Sequence, residues 1–206
     1  MEALLLIDIQ NDFLPGGALP VPQADQVVPV ALRLLDRFPL CVASKDWHPR
    51  EHVSFAANHP GRRVGEVIQT PHGPQVLWPV HCVEGSWGAE FAPGLAEAAG
   101  RIDHVVFKGT DAQIDSYSAF FDNGHLRSTG LEDYLRRQGA DTLYVLGLAT
   151  DYCVRWTVED ALKLGFAVWV VQDGCRAVEA DKQQQVLQQL QQQGARLTTS
   201  QELLPG

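Results

Sequence analysis

Residues 143–164 read LYVLGLATDYCVRWTVEDALKL, and this stretch decides the fold. Its first part, Leu143 to Leu148, is apolar on both alternating faces, the pattern of a central strand in a parallel sheet covered on both sides. Its second part places Val154, Val158, Ala161 and Leu162 at helical spacing, so one apolar stripe can pack back onto the sheet. A strand, a short polar turn and an amphipathic helix in immediate succession form the repeating unit of an α/β domain.

Outward from this stretch the same unit recurs. Strands are expected at about 3–9, 39–45, 103–108, 142–148, 167–172 and 195–199, and helices at about 25–37, 129–139, 151–164 and 180–193. The predicted fold is a three-layer α/β/α arrangement around a six-stranded, mainly parallel sheet, forming one domain over residues 1–206. Residues 46–102 break the rhythm. They are rich in Pro, Gly, His and Trp, and a structureless loop of that length is implausible in a compact domain. The expectation is a small cap or insert over the strand ends. The Gln-rich stretch 183–193 keeps one apolar stripe, Val186, Leu187 and Leu190, and reads as a solvated surface helix.

A chain of 206 residues with 45% hydrophobic and 20% charged residues suits one globular domain with a sizeable core. A formal charge of −9 argues against nucleic acid and against an anionic membrane surface, both of which need a basic face. No apolar run approaches the ~20 residues of a membrane helix. The N-terminus enters strand-like Ala3-Leu4-Leu5-Leu6-Ile7 without the features of a signal peptide. Cys41, Cys82, Cys153 and Cys175 show no CxxC spacing and read as free thiols in a reducing cytoplasm. A small-molecule partner is expected, and a homo-oligomer stays open.

Polar residues gather at the predicted carboxyl ends of strands: Asp8, Asp46 with His48, Lys108, and the turn Thr150-Asp151-Tyr152-Cys153. Ligands of open parallel sheets bind outside those ends, so four strands aim reactive groups at one crevice. Cys153 sits just inside a helix start that Thr150 or Asp151 could cap, where the helix N-terminus lowers a thiol's pKa. Each residue alone has an ordinary reading: Cys153 as core filler, Asp8 as a turn carboxylate, Lys108 as a solvated lysine. Together they are complementary. Moving a proton from a free thiol to a free carboxylate is uphill by roughly 6 kcal/mol. A nearby ammonium favours thiolate, and burial raises the carboxylate's pKa.

A second set is Asp46-Trp47-His48 with Trp78-Pro79-Val80-His81. Asp and His two apart on an extended segment point the same way, and a distant His can close a set of three. One carboxylate and two imidazoles suit a divalent metal: zinc first, with iron or manganese as alternatives. Glu51, His52 and His59 lie close enough in sequence to add to the site or support it. His72, His104 and His125 are assigned ordinary surface or hydrogen-bonding roles.

These segments carry a resemblance that runs essentially end to end. Asp8-Ile9-Gln10-Asn11-Asp12-Phe13, Lys45-Asp46-Trp47-His48-Pro49, Trp78-Pro79-Val80-His81-Cys82, Lys108-Gly109-Thr110 and Gly147-Leu148-Ala149-Thr150-Asp151-Tyr152-Cys153 are similar to those of the isochorismatase-like cysteine hydrolases. The Asp-Trp-His and Trp-Pro-x-His-Cys segments narrow the likeness to the metal-containing nicotinamidase branch. The resemblance implies hydrolysis of nicotinamide to nicotinate and ammonia in NAD salvage. It implies catalysis by Asp8, Lys108 and Cys153, with the metal on Asp46, His48 and His81. It also implies a cis Leu148–Ala149 bond, an oxyanion hole from the Ala149 and Cys153 amides, and pocket walls of Phe13, Leu19, Trp78 and Tyr117. Two enzymatic rivals are a sibling hydrolase of another small amide and a metallohydrolase attacking through metal-bound hydroxide. A third is a non-catalytic metal-binding module.

Overall fold

A computed structural model describes residues 1–204. Six strands form the main sheet: β1 Glu2–Ile7, β2 Cys41–Asp46, β5 His104–Lys108, β6 Thr142–Leu148, β7 Ala167–Arg176 and β8 Arg196–Thr198. Their order is β5-β2-β1-β6-β7-β8, and every neighbouring pair is parallel. The expected mainly parallel six-stranded sheet is therefore present, flanked by helices. These are α1 Val27–Leu34, α2 Leu131–Arg137, α3 Arg155–Lys163, α4 Gln183–Gln192 and a short α5 Ser200–Leu203.

The centre of the sheet follows from side-chain chemistry. From Ala3 to Ile7 and from Leu143 to Leu148, β1 and β6 are buried on both faces, as unbroken Leu and Val runs require. Gly147 lies against β1 at φ 133°, and a Cβ there would come within 2.1 Å of the Ile7 carbonyl oxygen. Only glycine allows β1 and β6 to stay so close at the ends that carry function. Val186, Leu187 and Leu190 are the buried face of α4, so the Gln-rich stretch is an amphipathic helix.

Differences from expectation fall at element ends and in 46–102. The helix expected over 151–164 begins instead as a wide π-helical turn, Thr150–Val154, and becomes α-helical only at Arg155. Within 46–102 lie an antiparallel hairpin, β3 Val67–Thr70 with β4 Gly73–Val76, and three single 3-10 turns. The rest of that segment is irregular backbone. No helix among the described residues is long and apolar enough to cross a membrane.

Candidate active site

Parallel register brings the strand ends together. Asp46 closes β2 and pairs in register with Lys108, which closes β5. Asp8 follows β1 with φ at 49°, a left-handed conformation that aspartate tolerates better than most residues, and it turns the chain out of the sheet. Cys153 lies on the turn after β6. All four residues are buried, Asp8 and Lys108 to within 1% exposure.

The Lys108 ammonium is the hub. Its Nζ lies 2.8 Å from Asp8 Oδ2 and 3.3 Å from Cys153 Sγ, donates to the Ser116 carbonyl at 2.9 Å, and also donates to Asp46 Oδ1. The Ser44 hydroxyl donates to Asp8 Oδ1 at 2.6 Å. Carboxylate oxygens of Asp8 and Asp46 and the Cys153 sulfur lie within 4.8 Å of one another.

Burial is the largest single influence on each of these groups, and the neighbouring charges decide whether it prevails. It pushes the Asp8 carboxyl up against the pull of Lys108, and Asp46 adds to the rise. It pushes the Cys153 thiol well up; Lys108 opposes this, while Asp8 and Asp46 reinforce it. Burial works the same way on Asp46, but Lys108 and His48 outweigh it and hold that carboxyl well below the usual range. For Lys108 burial favours the neutral amine, and Asp46 and Asp8 overcome it, so the ammonium persists.

A Cys153 thiol lowered by a helix N-terminus was expected, whereas burial pushes it well up. Nor do Thr150 and Asp151 cap the turn. The Asp151 carboxylate accepts from the Val178 and Glu179 amides at 2.9 and 3.0 Å, and the Thr150 hydroxyl donates to the Gln183 side chain. The four cysteines are free and buried. Cys41, Cys82 and Cys175 direct their sulfurs at backbone carbonyls, while Cys153 alone among them meets a cation.

Asp46, His48 and His81 converge as expected. The Nδ1 atoms of His48 and His81 lie 2.8 and 2.7 Å from the Gly109 and Pro79 carbonyls, which fixes the proton on each Nδ1. Both Nε2 lone pairs are thereby free, and they face Asp46 Oδ2 at 3.6 and 3.8 Å. The three ligand atoms fall within 4.8 Å of one another, so the donor set fits a divalent ion. Gly109 makes room for this, because a Cβ at its φ of 64° would lie 2.3 Å from the His48 ring.

The neighbouring candidates separate. Glu51 is exposed and His59 is bonded to the Val53 carbonyl at 2.7 Å. His52 is buried against the His48 ring at 4.1 Å, and burial pushes its pKa down to about 4. Its Nδ1 meets the Ser54 hydroxyl at 2.7 Å, and its Nε2 stands 3.9 Å from Asp115 Oδ1 without a hydrogen bond. His72 is exposed, His104 stacks on Tyr134, and His125 pairs with Asp160 at 2.9 Å.

A pocket opens between the two sets. Phe13, Leu19, Trp78 and Tyr117 line it, together with Ala149, Cys153, Asp46 and His81. The Leu148–Ala149 bond is cis. Sequence reasoning missed Asp115, Tyr152, Val21 and Val178 on the same walls. Tyr152 was beside the quoted cysteine, and a polar Asp115-Ser116 pair after a strand end was a usable signal. Val21 and Val178 carried none.

A family model described as the isochorismatase domain matches residues 2–202. The nicotinamidase of Escherichia coli is 50% identical over 186 residues, covering 88% of this chain and 86% of that protein. The solved structure of a nicotinamidase/pyrazinamidase from Acinetobacter baumanii is 45% identical, with a TM-score of 0.94 and 98% of each chain covered. The pyrazinamidase of Pyrococcus horikoshii, solved in complex with zinc, is 32% identical with a TM-score of 0.77, covering 96% of this chain and 98% of that one.

Proposed function

The chain belongs to the isochorismatase domain family, and from that premise we propose that it is a metal-dependent cysteine amidohydrolase converting nicotinamide to nicotinate and ammonia. Nicotinamidases at high identity over most of the chain support the substrate. The observation that carries the chemistry is the buried Lys108 ammonium joining the Asp8 carboxylate to the Cys153 thiol and the Asp46 carboxylate, the last two of which line the pocket.

In this reading Asp8 is the general base and acid. Asp8 Oδ2 is buried and accepts no hydrogen bond beyond its ion pair with Lys108, so a lone pair is open to the thiol proton. Burial raises both the Asp8 carboxyl and the Cys153 thiol, which suits a proton transfer that happens on attack. Cys153 Sγ then bonds to the carboxamide carbon, and the Ala149 and Cys153 amides stabilise the oxyanion, each such donor being worth about 3–4 kcal/mol. Asp8 returns the proton to the departing ammonia. A water deprotonated by Asp8 attacks the thioester, releasing nicotinate and restoring the thiol.

Asp46, His48 and His81 would hold the metal, with zinc as the favoured ion; when bound, it supplies a Lewis-acidic contact for the pyridine nitrogen. Phe13, Leu19, Trp78 and Tyr117 hold the flat ring between that contact and Cys153. Residues 46–102 serve as the cap of a single catalytic unit, and the cytoplasm is the proposed site of action. The test is ammonia release across a panel of small amides, with a quench under turnover to trap an acyl adduct on the Cys153 peptide. Nicotinamide should rank first and the adduct should appear. Turnover without any adduct, retained in Cys153→Ala, would transfer the attack to metal-bound hydroxide.

A further inference from the structure

Ser44 has no part in the metal set or the nucleophile. It lies 1% exposed in β2, where a buried hydroxyl needs a partner. Its partner is a single residue in both directions. The hydroxyl donates to Asp8 Oδ1 at 2.6 Å and accepts from the Asp8 amide at 3.3 Å. Ser44 and Asp46 stand two apart on one strand and therefore share a face. Between them they hold both ends of one ion pair, Ser44 gripping Asp8 and Asp46 gripping Lys108.

A carboxylate turns easily about its last bond, because that torsion is broad and roughly two-fold. Lys108 attracts both Asp8 oxygens and cannot choose between them. Ser44 can, because its one proton is spent on Oδ1. That leaves Oδ2 beside the Lys108 ammonium, which also reaches the Cys153 sulfur at 3.3 Å. We propose that Ser44 is the positioning residue of the catalytic base, tethering Oδ1 so that Oδ2 is the oxygen presented to Cys153.

The inference rests on Asp8 acting as base. Ser44→Ala should lower kcat for nicotinamide about 10–100-fold, with KM within about threefold of the parent. Ser44→Thr keeps the hydroxyl and should recover most of the loss. Iodoacetamide should alkylate Cys153 more slowly in Ser44→Ala, roughly tenfold, while Cys41, Cys82 and Cys175 react as in the parent and report an intact fold. If Ser44→Ala does not fold, Ser44→Cys, of similar size and a weaker donor, should fall between the parent and the expected loss. Parent-like kcat in Ser44→Ala or Ser44→Cys, a loss confined to KM, or unchanged Cys153 alkylation would overturn the proposal. Should the parent release no ammonia from nicotinamide, the functional reading fails, while the alkylation comparison still decides the role of Ser44.

Discussion

The sheet ends and the irregular segment beside them reach precision by different routes. Asp8 and Cys153 follow β1 and β6, whose apolar side chains pack on both faces, and Lys108 closes the edge strand β5, paired in register with β2, so strand register sets their spacing. Residues 47–102 have little ladder of their own, and buried polar side chains take its place. Gln10 donates to the Asp46 and Ala89 carbonyls and accepts from the Asp46 amide, Asn11 donates to the Trp87 carbonyl, and Asp12 accepts from the Cys82 amide. Three consecutive residues leaving β1 thus staple the segment that carries His48 and His81. Backbone polar groups removed from water must find partners, and where strands do not supply them side chains do.

The comparison implies that sheet-end variants lose chemistry while variants of the irregular segment lose binding. The largest effect is expected for Asp8→Asn, Lys108→Ala and Cys153→Ala, each lowering kcat on the order of 10⁴-fold, with double variants hardly worse because the three act as a unit. Near-normal ammonia release in any one would remove that residue from the set. Next, His48→Ala or metal removal should lower kcat/KM about 10–100-fold for nicotinamide and far less for benzamide, which lacks the ring nitrogen. Equal proportional losses for the two amides would erase the proposed division of labour.

A smaller effect concerns pH. Asp8 takes a proton only when ionised, and burial places its pKa above the ordinary 3.8. Activity is therefore lost as pH falls through that raised value, about tenfold per unit beyond it. A profile of kcat/KM against pH that stays flat down to the ordinary aspartate value would break the assignment. The smallest effect is predicted for Asp12→Ala, which leaves the Cys82 amide without its partner next to His81. Denaturant unfolding should show a loss of about 1–3 kcal/mol, and metal should be stripped by chelator more readily. If stability and metal retention match the parent, the staples are dispensable and the contrast between the regions dissolves.

Much of this was legible along the chain. Short β-branched or Leu-rich runs marked the strands of the main sheet, and Asp8, Asp46, Lys108 and Cys153 stood out because each falls at or just beyond the carboxyl end of one of them. The β3–β4 hairpin was not legible. Its strands are four residues each, and neither Val67-Ile68-Gln69-Thr70 nor Gly73-Pro74-Gln75-Val76 shows the apolar–polar alternation that marks a half-buried strand. The wide turn at Thr150–Val154 was hidden because its residues suit an ordinary helix start equally well.

Local pattern determined which segments become strands and helices, since burial on one or two faces is written in the period of the side chains. It also determined the residue types on offer at the strand ends. Only the tertiary structure decided their states and partners. The sheet order sets β5, β2, β1 and β6 side by side, and Lys108, Asp46, Asp8 and Cys153 become neighbours although they come from four separate segments. The raised thiol at Cys153, the raised carboxyl at Asp8 and the lowered one at Asp46 follow from how much water those neighbours exclude and which charge each group meets first. Both quantities are sums over distant segments, and no window of sequence contains them.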